Sequence, residues 1–386
     1  MKETAKTILV RDDPVEGLAG LIKAGPFLFT AGCEGHTDLA TRKIVPELSG
    51  EAERQCENAY GKIGELLSRA NAGYANVVRL DHVTSSQDWL PRRQTIRGKL
   101  FGRPAPLAST GVAAKMHGIN MLTAFAIAVA DPSDKEVLIP GARYGMTNIS
   151  ALVRGGPLLF VAGIRGNVDP RTGAARPEET PQSFGEQLRT CYEIINSILG
   201  EAGSNADAIL RIDCYIRDIR RRDEDAVIRR QILGNVTCAS TVVALPLGAR
   251  GEVEITTLAL APGNIKRTEV RPQHGLPAVV AGGGFLFVGE CCGNLVVSTG
   301  EVDRSLVADR AGQVERALGV LDHRLRDARS SLARVVRLEL YLRDINFAPE
   351  ANAIVSRRFD SEPPVVSVMG GELDDLVEAK LNAIAI

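Results

Sequence analysis

Three apolar runs, each led in by a glycine turn, mark the chain. They are Gly25-Pro26-Phe27-Leu28-Phe29-Thr30-Ala31-Gly32, Gly156-Pro157-Leu158-Leu159-Phe160-Val161-Ala162-Gly163 and Gly283-Gly284-Phe285-Leu286-Phe287-Val288-Gly289-Glu290. A short continuous apolar run behind a turn predicts a buried strand, and Ala24-Gly25-Pro26 turns Leu21–Lys23 back into the first run as a hairpin. Further on, Leu188, Cys191, Ile194, Ile195, Ile198 and Leu199 fall on one face of a helix predicted over Gln187–Ala202. A second helix is predicted over Asp223–Leu233. In Val335–Asp344, Val336, Leu338, Leu340 and Leu342 alternate with Arg337, Glu339, Tyr341 and Arg343, which predicts a half-buried strand with one wet or interface face.

These signals recur in step. A helix-opening glutamine stands at 55, returns 132 residues later at 187, and again 126 residues later at 313. The strands Val77–Ser86, Ile209–Asp218 and Val335–Asp344 keep the same two offsets. Terminal strands end in Ala126-Ile127-Ala128-Val129, Leu258-Ala259-Leu260-Ala261 and Ala383-Ile384-Ala385-Ile386. Landmarks that stay in register over two intervals mean three tandem copies, placed at 1–131, 138–262 and 270–386. Asp131–Tyr144 and Pro262–Gln273 read as linkers, and Asp169-Pro170-Arg171-Thr172-Gly173 as a polar loop. Each copy has strands and only two helices, so an α+β unit with its helices on one sheet face is expected. The other face needs cover. Three copies covering one another about a pseudo-threefold axis supply it.

Composition narrows the function. Lys+Arg 46 against Asp+Glu 47 gives no bulk charge for nucleic acid or acidic lipid. No apolar stretch approaches the ~20 residues that span a bilayer. The charged start Met1-Lys2-Glu3-Thr4-Ala5-Lys6 is not followed by a signal core, so a cytoplasmic protein is expected. Seven cysteines without CxxC spacing and five histidines without HxH or HExxH argue against disulfides and structural zinc. No metal or cofactor is expected, and no nucleic-acid or membrane partner. The arginines between Arg217 and Arg230 are interleaved with Asp218, Asp223, Glu224 and Asp225, as on a charged outer helix.

The order of motifs resembles the RidA/YjgF (reactive intermediate deaminase) family. The stretches that carry the resemblance are Phe160-Val161-Ala162-Gly163, Gln187–Gly203, Tyr215-Ile216-Arg217-Asp218, Ala244-Leu245-Pro246 and Val253-Glu254-Ile255 in the second copy, and Tyr341–Asn352 in the third. The resemblance implies three chorismate-mutase-like, RidA-like α+β units in a pseudo-threefold single-chain trimer, with a central β-barrel and helices outside. Ligands then sit in clefts between copies, in a monomer or low-order homo-oligomer. Family members hydrolyse imines and enamines with a positioned water and no cofactor. The family's deaminases hold a substrate carboxylate with the arginine of a Pro-Ala-Arg segment. Here the corresponding stretches are Pro106-Leu107-Ala108-Ser109, Val236-Thr237-Cys238-Ala239 and Pro363-Pro364-Val365-Val366, and none carries it. Another cation must take its place, or the substrate has no carboxylate at that point.

The family's cleft glutamate survives as Glu254, with Thr123 and Lys380 at the equivalent positions. Glu254 is the candidate acid or base, against a solvated edge carboxylate. Lys380 in an apolar strand is a candidate anion holder or base, against a snorkelling lysine. Glu290 replaces a family glycine beside Cys291-Cys292 and is a candidate to position water; a neighbouring carboxylate argues against a reactive thiol. The family's helix asparagine survives as Asn352, with Gln94 and Ala226 at its equivalents; the plainer role is a cap. Arg143 and Tyr144 are placed to lend a cation and a ring to a cleft. Ser367 is a candidate for substrate binding, or as a nucleophile beside Lys380. Three functions follow: a cofactor-free hydrolase of a small imine, enamine or amide; a non-catalytic binder of a small metabolite; and a Ser-Lys ring-opening amide hydrolase of the cyanuric acid/barbiturase type, whose Ser-Gly-Gly segments this chain lacks.

Overall fold

The computed structural model describes residues 4–11, 15, 17–38, 40–41, 43–169, 171, 174, 182–247, 251–263, 266–271 and 277–386. Pro170, Thr172 and Gly173 of the expected polar loop, and Asn264, Pro272 and Gln273 of the expected second linker, lie outside the described residues.

The fold is mixed α+β, and one element order occurs three times. The first set is β1 (Lys6–Arg11), β2 (Ala19–Ala24), β3 (Phe27–Thr30), β4 (Cys33–Glu34), α1 (Ala52–Ser68), β5 (Val77–Thr84), α2 (Leu90–Phe101), β6 (Ala108–Ala113) and β7 (Leu122–Val129). The second is β8 (Lys135–Pro140), β9 (Ser150–Gly155), β10 (Leu158–Arg165), α3 (Phe184–Glu201), β11 (Ile209–Ile216), α4 (Arg222–Leu233), β12 (Ala239–Ala244) and β13 (Val253–Leu260). The third is β14 (Thr268–Val270), β15 (Val279–Gly282), β16 (Phe285–Cys292), α5 (Arg310–Asp327), β17 (Val335–Leu342), α6 (Ala348–Phe359), β18 (Val365–Gly370) and β19 (Ala379–Ala385). In each set the strand after the long helix pairs parallel with the next strand and antiparallel with the last. No helix among the described residues is long and apolar enough to cross a membrane.

The landmarks have physical reasons. Gly25, Gly156 and Gly283 adopt positive φ at the hairpin turns, where a side chain would be strained. Each repeated glutamine ties its helix to the segment before the last strand. Gln55 donates to Leu48 O and Ile119 O and accepts from Met121 N; Gln313 donates to Leu306 O and Leu376 O and accepts from Glu378 N; Gln187 accepts from Glu252 N. These buried amides satisfy loop backbone that water cannot reach. Helix α3 starts at a capping box between Ser183 and Glu186 and buries Leu188, Cys191, Ile194, Ile195, Ile198 and Leu199.

A core common to all three sets lies at the centre, where the Phe27 ring meets Phe160 at 5.8 Å and Phe285 at 5.6 Å between centroids. The polar faces of the central strands are inside as well. All eight residues of β17 are buried, so the expected half-wet face is an interior interface. Its charges are paired: Arg337 with Glu339, Arg211 with Asp213 and Glu339, and Arg79 with Asp81. The guanidiniums also reach the neighbouring set, from Arg79 to Val161 O and Thr256, from Arg211 to Glu339, and from Arg337 to the face of the Phe125 ring at 4.4 Å.

Two expectations are corrected. Residues 135–140 of the expected first linker form strand β8, an edge strand paired with β9, and β14 likewise pairs with β15. Their short mixed sequences carry no clear period. No closed barrel is found among the described residues. The ladders make a thirteen-stranded and a six-stranded sheet. β18 pairs with β2, but β6 only packs on β10, and β12 on β16. At these two contacts side chains bridge to the backbone of the other set. Arg79 bonds Val161 O, and Lys380 and Glu290 take Val242 O and N.

Candidate functional site

The three inter-set contacts are seams of different chemistry, and the residues singled out from the sequence divide among them. Glu254 and Tyr144 line a cavity of about 310 Å³ at the first seam, between the first and second sets. Glu290 and Lys380 meet at the second seam. Asn352 and Ser367 line a smaller pocket of about 120 Å³ at the third seam, between the third and first sets.

The second seam is filled. Lys380 is fully buried, with its Nζ on Val242 O and 3.2 Å from both Glu290 and Asp374, and Arg222 of α4 bonds the same two carboxylates. Burial would lower the Lys380 ammonium, but Glu290 and its neighbours leave it raised; burial would raise Glu290, but Lys380 and Arg222 hold it down. Both stay charged and paired. The expectation that Lys380 acts as a base, which needs it deprotonated, is corrected. Burial, and then Glu290, pushes the Cys292 thiol up to about 12, which leaves it inert.

Ser367 and Lys380 do not form a nucleophile pair. β17 lies between their strands, pairing with β18 on one side and β19 on the other, and their side chains face different seams. The Ser-Lys hydrolase reading loses its geometry. Arg143 is also elsewhere: it pairs with Glu201 at the end of α3, at 2.6 Å, while Tyr144 shares Glu201 through its hydroxyl.

At the first seam, β13 presents Glu254, held by Arg165 at 3.0 Å, beside Gly163 of β10. Opposite it, α2 presents Arg93 and Arg97, one turn apart on the same helix face and only 3% and 4% exposed. Arg97 donates to Ser109 Oγ at 3.3 Å, on the stretch that lacks the family arginine, and to Asn148 O at 3.4 Å. Arg93 makes no hydrogen bond or ion pair among the described residues, and burial pulls it down to about 10. Behind it both His82 ring nitrogens are buried without partners among the described residues. Burial, then Arg93 and Arg97, hold His82 well below its ordinary range, so it is neutral. Gly111 leaves the space in front: a Cβ there would lie 2.6 and 2.8 Å from the Arg93 Nη atoms and against His82 Nε2. The seam thus offers a carboxylate facing two buried guanidiniums across an open cavity.

Sequence reading found Glu254 and Tyr144 but missed Arg93, Arg97 and His82. The available signal was the i,i+4 arginine pair next to Gln94. At the equivalent positions of α4 stand Asp225 and Arg229, an ion pair, and of α6 Ala351 and Val355.

Fold and pockets together define a mixed α+β protein with cavities at two of its seams. No family model matches the chain. Over 129 residues it is 28% identical to a RutC family protein of Aquifex aeolicus (strain VF5), covering 32% of this chain and 98% of the relative. A member of the YjgF/YER057c/UK114 family from Mycobacterium tuberculosis is 25% identical over 33% of this chain and 99% of its own, with a TM-score of 0.27. A chorismatase crystal structure covers 81% of this chain and 93% of its own, at 14% identity and a TM-score of 0.55. The chain is similar to the RutC/RidA (YjgF) family, and the RutC match covers about a third of it, which is consistent with tandem repeats.

Proposed function

We propose that the chain is a cofactor-free hydrolase of a small anionic C–N compound, an imine, enamine or amide, acting at the first seam. The observation that carries this reading is the pair of buried guanidiniums, Arg93 and Arg97, facing Glu254 across the cavity. The arginines would hold a substrate carboxylate in place of the missing family arginine. Glu254 would take a proton from a water that adds to the C=N carbon. The resulting carbinolamine, once protonated on nitrogen, would expel ammonia and leave a carbonyl. We place the units at 1–131, 138–262 and 270–386, closed as a pseudo-threefold ring. The sequence of contacts β6 on β10, β12 on β16 and β18 with β2 supports that closure. In this reading Lys380 and Glu290 weld the second seam, and Asn352 and Ser367 serve a separate small pocket.

A non-catalytic binding role is the second reading, favoured by the Arg165 ion pair that occupies one Glu254 oxygen. Ammonia release is the test, over a panel of small imines and cyclic amides, with chorismate added because of the fold neighbour and followed by its own consumption. Turnover that falls about 100-fold or more in Glu254→Gln is expected. Tight binding without turnover across the panel moves the assignment to the binder, and turnover insensitive to Glu254→Gln removes the site from the first seam.

A further inference from the structure

We infer that the first-seam pocket selects ligands that carry two acid groups, one for each of Arg93 and Arg97. The inference rests on the first seam being the ligand site and goes further by naming the ligand's charge. The cavity lining holds three guanidiniums, Arg93, Arg97 and Arg165, and one carboxylate, Glu254, which Arg165 neutralises. Among the described residues Arg93 and Arg97 are left without a carboxylate partner, and the neighbouring His82 is neutral. A buried guanidinium without a counter-ion is costly, and a ligand anion relieves the cost. Two charges left unpaired side by side also repel each other, so one monoanion satisfies half of the site.

The other seams show that this surplus is particular to the first. On α4 the acid Asp225 stands where α2 has Arg93, and it neutralises Arg229, the counterpart of Arg97, at 3.5 Å. Tyr192, the counterpart of Tyr60, bonds Asp225. At the second seam Arg222 and Lys380 are matched by Glu290 and Asp374. Exchange of an acid for Arg93 turns a balanced position into a doubly positive one. Gly111 then leaves room at the cavity wall for the Arg93 guanidinium, which any side chain there would displace. The Arg93 guanidinium is therefore a buried fork at the cavity wall, with the geometry to take a planar acid through two parallel bonds.

The test is calorimetric titration of the wild-type chain at fixed ionic strength with glutarate, 3-phosphonopropionate and butyrate. None contains a C–N bond, so the outcome is independent of turnover and fails separately from the hydrolase reading. Glutarate binding about tenfold or more tighter than butyrate is expected, as an added charge-assisted contact provides. The gap should vanish in Arg93→Met, with Arg97→Met as the second variant and thermal unfolding to show that both fold. The phosphonate arm distinguishes a second carboxylate from a phosphorylated acid as the natural partner. Equal affinity for glutarate and butyrate, no binding of any of the three, or a gap that persists in both variants overturns the inference.

Discussion

Arg229 and Asp225 form an ion pair on α4, 3.5 Å apart, at the two positions that Arg97 and Arg93 occupy on α2. One helix thus carries its own neutralising acid and the other does not. The same scaffold position carries a paired acid in one set and an arginine without a carboxylate partner among the described residues in the other.

Arg93→Met should stabilise the ligand-free chain. The substitution removes a buried charge with no partner and keeps the volume filled, a change that ranges from neutral to stabilising. Thermal unfolding is expected to move up by about 2 °C or more. A lower midpoint would mean that Arg93 has a structural partner.

Lys380→Met should destabilise strongly, by about 3–5 kcal/mol, because Glu290 and Asp374 would be left with Arg222 alone in a buried setting. Urea unfolding measures it. Combining Lys380→Met with Glu290→Gln should recover a large part of the loss, since the removed charges then balance. Loss of equal size in the double variant would show that the network does not act as one unit.

The central charge network sets a pH dependence. Burial pushes Asp213 up to about 6, whereas Arg211 and Arg337 overcome burial and hold Glu339 down to about 2. The signs are opposite. Asp213 binds its proton more readily when folded, so its contribution is full below its ordinary value of about 3.9 and is lost as pH rises through about 6. Glu339 stabilises above its ordinary carboxylate range and loses that contribution as pH falls toward about 2. Asp213→Asn should therefore flatten stability between about pH 4 and 6, measured as urea unfolding across that window. Parallel curves for parent and variant would remove Asp213 from the account.

Gly111→Ala should close the front of the first-seam pocket. Its Cβ would press on the Arg93 guanidinium and His82, so diacid binding is expected to weaken about tenfold or more. Gly163→Ala should do the same from the Glu254 side, where a Cβ would lie 2.9 Å from Thr110 Oγ1 and against the carboxylate. Titration calorimetry of both variants checks this, and unchanged affinity would place the ligand elsewhere.

Much of the fold was legible because its signals are local. Glycine turns, helical spacing in α3 and alternation in β17 each depend on a few consecutive residues. The edge strands β8 and β14 were read as linkers because they are short and pack little of either face. The seams were the harder part. Whether Lys380 meets Ser367 or Glu290 depends on which set lies across from β19, and no periodicity within one copy encodes that. Arg337 and Glu339 looked like a wet face for the same reason: their cover, the neighbouring sets, is remote in sequence. Glu254 was singled out because its strand position matched a known pattern, while no pattern drew attention to Arg93 and Arg97.

The way β6 rests on β10, β12 on β16 and β18 along β2 means that every seam is built from two stretches of polypeptide that occur nowhere else in the molecule. In an assembly of identical chains, each substitution is copied into every interface at once, and a change that helps capture a ligand must also be tolerated wherever it recurs. Here one boundary can be locked by a lysine and another lined with arginines, and neither choice constrains the third.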